Sequence, residues 1–131
     1  MAEMQVHVVS ATRELYRGTA GAVYARSTEG EIGILPGHQP VLLALEISPV
    51  RVEQTDGEVV TWAVHAGFLE YRDEQLTVLA DRAERPEEID VERARSARER
   101  AQQHLEDLDY EGNAHAELRR AEIRLRLAGA S

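Results

Sequence analysis

The side chains most able to do chemistry gather in "ERPEEIDVERARSARER", Glu84 to Arg100. Asp90 precedes Arg93 by three positions, so on a helix the two can meet, and Asp90 is also well placed to cap the free N–H groups of the first turn. Arg100 has Ser96, Ala97, Gln103 and His104 at its neighbouring helical positions, and none is acidic. Further on, Arg124 has Arg120 behind it and Leu127 and Ala128 ahead. Arg120 and Arg124 therefore form a like-charge pair at i, i+4, which costs a few tenths of a kcal/mol. Their neighbours are better supplied: Glu122 reaches Arg119 and Arg126, and Glu117 reaches Arg120. If the second helix folds back on the first, Arg93, Arg100, Arg120 and Arg124 converge. Guanidinium groups in that arrangement suit a polyphosphate, which they bind through charge-assisted and partly bidentate bonds. On periodicity alone a solvated basic face is the favoured reading.

Other chemistry is excluded or weak. "GEIGILPGHQP", Gly30 to Pro40, is glycine-rich, but a phosphate loop would run into a helix and normally carry Lys. The chain has no Lys, and strand-like runs flank the segment, so it reads as a bent strand or a shaped edge for a protein partner. Glu29 and Glu31 would share a strand face, but at a turn beside Gly30 they read as solvated carboxylates. The five His show no metal-ligand spacing. No nucleophile has a base in a recognisable arrangement, which disfavours a small β-sandwich hydrolase. A free-standing nucleotide sensor is the stronger rival to a subunit of a larger assembly.

The elements that must position these residues follow from period and composition. The 131 residues suffice for one compact domain plus an appendage. Apolar residues make up 43%, with one Phe and one Trp, so aliphatic side chains must fill the core. The net charge is −9, which disfavours non-specific nucleic-acid binding. Without Cys there are no disulfides or thiolate sites, in keeping with a reducing compartment. No stretch is long enough for a membrane span, and "MAEMQVHVVS" does not read as a signal peptide. A cytosolic protein able to dock on a membrane complex is expected.

Residues 1–85 read as strands. Val6 and Val8 alternate, as do Val50 and Val52, and Val60, Trp62 and Val64 lie on one side of their run. Asp56-Gly57 predicts a tight hairpin with positive φ at both residues, and "YRDEQL" predicts another. Pro36, Pro40 and Pro49 belong at edges or bends. Many short strands predict an antiparallel β-sandwich or barrel. From Pro86 the period changes. Val91, Ala94, Ala97, Ala101, Leu105 and Leu108 form one helical stripe, and Ala114, Leu118, Ala121, Leu125 and Ala128 a second. The turn at Gly112-Asn113 between them predicts an antiparallel helical hairpin over 86–131. An interface of Ala is weakly held, since a buried Ala contributes well below the ~1.5–3 kcal/mol of a Leu.

"EGEIGILPGHQPVLLAL", "HAGFLEYRDEQLTVLAD" and "EEIDVERARSARERA", in this order, resemble the epsilon subunit of bacterial F-type ATP synthases over nearly the whole chain. The resemblance implies an α+β protein, a β-sandwich followed by a helical hairpin, that serves as a rotor component and is not itself an enzyme. It implies that the sandwich binds the gamma subunit and rests on the c-ring, at the cytoplasmic face of the cell membrane. The segment with Glu29 and Glu31 would face the c-ring, and the segment with Pro36 and His38, leading to Leu42, would lie toward gamma. The hairpin would extend into the catalytic alpha/beta hexamer and inhibit ATP hydrolysis. No cofactor is required, but "IDVERA" matches a family motif for regulatory ATP at Ile89, Asp90, Arg93 and Ala94. Glu84 and Arg100 fall at that site's acid and base, and with a shortened inter-helix turn Arg120 and Arg124 supply its second-helix arginines.

Overall fold

A computed structural model describes residues 2–130. The chain divides into two compact units, residues 1–83 and 84–131. In the first, β1 (Met4–Val9), β2 (Glu14–Ser27), β3 (Gly30–Ile34), β4 (Val41–Gln54), β5 (Val59–Arg72) and β6 (Gln75–Ala80) are followed by the two-residue β7 (Ala83–Glu84). The sheet order is β1-β6-β5-β4-β2-β3, and β1 also pairs with β2. That extra pairing closes a ring, so the sandwich is a flattened barrel. All strand pairs with a resolved register are antiparallel except β1 with β6.

The alternating valines face inward as their period requires. Val6, Val8, Val52 and Val64 are fully buried, and Trp62 nearly so. The sequence reads as many short strands, but β2, β4 and β5 each run 14 residues. Bulges let one strand serve two layers. The β2 register shifts between Ala20 and Ala22, where its pairing passes from β1 to β4. In β5 there is no register shift, but Ala66 has φ 65, and both it and Glu46 opposite it drop out of the pairing between β4 and β5. Gly67 follows at φ 135, and a Cβ there would strike the Leu79 carbonyl oxygen. Pro49 sits inside β4, opposite Ala63, where the β2–β4 ladder is interrupted and no donor is required of it.

Both hairpins form, with one change in turn chemistry. Gly57 has φ 92, but Asp56 is not left-handed. The Gln54 N–H donates to Glu58 O and Gly57 N–H to Gln54 O, while Asp56 Oδ1 accepts from Glu58 N at 2.9 Å. This is a three-residue loop ending in one left-handed glycine, so the expected positive φ at Asp56 is absent. Between β5 and β6 it is Asp73 and Glu74, at φ 52 and 60, that take the two left-handed positions.

In the second unit a single 3-10 turn (Pro86–Glu88) leads into α1 (Val91–Glu106), and α2 (Ala114–Leu127) follows. The pair forms the expected hairpin. Ala94 and Ala101 are buried on α1, and Ala114, Ala121 and Leu125 on the anticipated stripe of α2. Ala116 and Ile123 are buried as well, seven apart on a different face, so the hairpin holds more apolar area than an Ala stripe implies. Leu108 departs from expectation. The helix stops at Asp107, whose φ −94 and ψ 107 are extended, and Leu108 is fully exposed beyond it.

Candidate functional site

On the outer face of the first unit, cross-strand register brings apolar residues from three strands together. Leu42 of β4 is opposite Glu70 of β5, Phe68 of β5 is opposite Leu79 of β6, and Glu70 is opposite Thr77. These five line a shallow depression of about 360 Å³. Leu42 is 66% exposed, Phe68 52% and Leu79 48%, a concentration of large apolar side chains that marks interaction surfaces. Sequence reading identified Leu42 and missed Phe68 and Leu79. Their outward alternation with buried Leu69 and Val78 is the signal that reveals them.

The remaining partner candidates lie in loops and at the β3 edge. Pro36 is in the turn after β3 and His38 just beyond it, both half-buried. The His38 ring meets the edge of Tyr71, with centroids 5.9 Å apart. Glu29 and Glu31 are exposed but do not share a strand face, because Glu29 lies in the β2–β3 turn and only Glu31 is in β3. Ser27 shapes that turn, donating from Oγ to Gly30 O at 2.9 Å and accepting from Glu29 N. Glu31 is 3.4 Å from Arg26, an exposed pair of little energetic weight.

In the second unit the structure brings some of the candidate nucleotide residues together. Asp90 caps α1, its Oδ1 accepting from the Arg93 backbone N at 3.1 Å, a bond worth ~1 kcal/mol. Ile89 is half-buried and Ala94 buried. Arg124 Nε donates to Glu84 Oε1 at 2.7 Å, with the side chains 18% and 24% exposed. Counting acids along the helix leaves Arg124 without a partner, but its carboxylate comes from 40 residues earlier. Arg93 and Arg100, seven apart on α1, are exposed, and among the described residues neither guanidinium joins an ion pair. Arg95, by contrast, pairs with Glu92 at 2.5 Å.

Arg120 follows a cluster of His104, Tyr110 and Glu117 at the hairpin elbow that residue counting missed. The Glu117 carboxylate can only accept, so the His104 Nδ1 at 2.8 Å is the donor to Oε1, while the Tyr110 hydroxyl donates to Oε2. The His104 and Tyr110 rings stack at 3.8 Å with planes 11° apart. One residue from the end region of α1, one from the connector and one from the first turn of α2 are thereby joined. The Tyr110 bond first, then that from His104, hold the Glu117 carboxyl below the ordinary glutamate range, with Arg120 assisting. The same Glu117 bond pushes the Tyr110 hydroxyl up.

A depressed carboxyl stabilises the fold above the ordinary glutamate value, and the contribution vanishes as pH falls through the folded value. Glu117→Ala should therefore weaken the hairpin near neutral pH, and the difference from the parent chain should close in acid. Urea unfolding followed by helical circular dichroism checks this. A gap that stays constant with pH would remove Glu117 ionisation from the elbow.

Among the described residues, no group of acidic and imidazole side chains is arranged to hold a metal, and no helix is long and apolar enough to cross a membrane. The family described as ATP synthase delta/epsilon chain, beta-sandwich domain, matches residues 3–86, and its long alpha-helix domain matches 87–129. The ATP synthase epsilon chain of Streptomyces coelicolor is 48% identical over 127 residues, covering 97% of this chain and 96% of that protein. That of Halalkalibacterium halodurans is 42% identical over 134 aligned positions, covering 98% and 99%. Among solved structures, a chain of the Euglena gracilis mitochondrial ATP synthase superposes with a TM-score of 0.83 at 24% identity, covering 94% of this chain and 79% of that one, a likeness of fold.

Proposed function

The chain belongs to the ATP synthase delta/epsilon family, and on that premise we propose that it works as a non-catalytic rotor part of the central stalk. Its β domain docks on the gamma subunit and rests on the c-ring, peripheral to the cytoplasmic face of the membrane. It thereby helps couple proton flow to ATP synthesis. Its helical hairpin engages the catalytic alpha/beta hexamer and restrains ATP hydrolysis. The observation that carries this reading is the exposed strip of Leu42, Phe68 and Leu79, which is too apolar to be left to water and is continuous with the Pro36–His38 loop along the chain. The reading is tested by whether the full chain co-purifies with gamma and whether a charge at Leu42 abolishes that.

A regulatory nucleotide site in the hairpin is supported by Arg93 and Arg100, exposed on one helix face with no carboxylate of their own among the described residues. A triphosphate supplies the missing negative charge. Glu84 already occupies Arg124, so the phosphates must engage Arg93 and Arg100 first or displace that carboxylate. Affinity should accordingly be modest, and ATP should favour whichever hairpin state assembles the site. In calorimetry on the isolated chain, ATP should bind better than ADP. Arg93→Ala should weaken binding more than Arg95→Ala, because Arg95 is held by Glu92. Equal losses, or no heat at high ATP, would leave α1 a capped surface helix.

A further inference from the structure

The β5–β6 turn holds, in Glu74, a residue that its geometry disfavours. Asp73 and Glu74 hold φ 52 and 60, where Asn-Gly or Gly would sit without strain. A long side chain kept in that region calls for a compensating role. The Glu74 carboxylate has one. Its Oε1 accepts from Gly37 N at 3.0 Å and from the Tyr71 hydroxyl at 2.5 Å. Tyr71 Oη in turn accepts from the same Gly37 N–H at 3.1 Å. Tyr71 is 1% exposed, so its hydroxyl needs a partner where it stands. Burial first, then the Glu74 bond, push that hydroxyl up, so it stays protonated and donating. Two groups of the β5–β6 hairpin thus close on the distant turn between Pro36 and His38, and the His38 ring packs on Tyr71 beside them.

We propose that Glu74 and Tyr71 are positioning residues that hold the Pro36–His38 loop in the shape its protein partner meets. This inference rests on the docking reading above, since it supplies the order that docking requires. A loop fixed before encounter loses less conformational freedom on binding than a free one. Glu74 itself need touch no partner. Its part is to satisfy a backbone N–H and a buried phenol that would otherwise let the loop sample other conformations.

Glu74→Gly separates positioning from simple stability. Glycine relieves the left-handed backbone while deleting the carboxylate, so the melting temperature should change little, the relief offsetting much of the cost of the Tyr71 hydroxyl's lost acceptor. Gly37 amide exchange should nevertheless quicken, and affinity of the full chain for the ATP synthase catalytic complex depleted of this subunit should fall about tenfold, the scale of one charge-assisted hydrogen bond. Glu74→Gln keeps an acceptor oxygen and should retain most of the affinity. Tyr71→Phe keeps the ring and should resemble Glu74→Gly at Gly37. Parental affinity in Glu74→Gly, or unchanged Gly37 exchange, would overturn the inference. Leu42→Arg measured in parallel keeps the two readings apart. If it binds normally, the docking reading falls. If it fails to bind while Glu74→Gly binds normally, only the positioning role is lost.

Discussion

Leu42→Arg should leave the chain folded and release it from its complex, with affinity reduced about 100-fold or more. Leu42 is 66% exposed on β4, so substitution there leaves the core intact, and exposed sites usually change stability by less than about 0.5 kcal/mol. Docking would bury the guanidinium against Phe68 and Leu79. The penalty for an ion taken out of water is several kcal/mol, whereas ~1.4 kcal/mol is a tenfold change in affinity. One effect works the other way. Glu70 faces position 42 across the β4–β5 pair and can partner the new arginine. A cross-strand ion pair contributes only ~0.2–1 kcal/mol, so desolvation wins. Leu42→Glu has no such relief and sets two carboxylates side by side, so it should lose at least as much. Circular dichroism establishes that both variants are folded, and co-sedimentation with the stalk gives the affinity. A folded Leu42→Arg chain that stays on gamma would exclude this strip as the docking face.

The parts of the molecule that repeat were legible in the sequence. Val6 and Val8, or Val60, Trp62 and Val64, declare a half-buried strand because period 2 allows little else. The change to period 3.6 after Pro86 declares the hairpin equally well. Strand length was not legible, because β5 runs on through the left-handed Ala66 and Gly67 with its register to β4 unchanged. Pro49 misled in the same way, its missing donor being harmless only because the neighbouring ladder is already broken there.

Site residues were legible where their chemistry is local. Asp90 capping α1 is a three-residue relation and could be read directly. Glu84 with Arg124 spans 40 residues, and no count of helical neighbours reaches it. Likewise His104, Tyr110 and Glu117 meet only because the helices fold back, and Glu117 was assigned to Arg120 on spacing alone. Tyr71 and Glu74 are only three apart, but Gly37 needed the folded sheet to reach them. Each of these is a polar contact between separate elements, which periodicity does not encode, whereas the missed Phe68 and Leu79 are apolar and did alternate with buried neighbours.

The hairpin carries the regulatory half of the account, and its removal has the second large expected effect. Residues 1–83 form a unit with their own closed core, so a chain ending at residue 86 should fold. That chain retains Leu42, Phe68 and Leu79 and should still assemble. A brake that holds most complexes in an inhibited state is released completely when its arm is absent, so hydrolysis should rise severalfold while synthesis persists. The most direct measurement is therefore ATP hydrolysis by the whole complex at low ATP, assembled with the full chain or with a chain lacking residues 87–131. A clear rise on truncation, with coupled synthesis maintained, is the predicted result. Equal rates from the two assembled complexes would contradict a hairpin that restrains the enzyme.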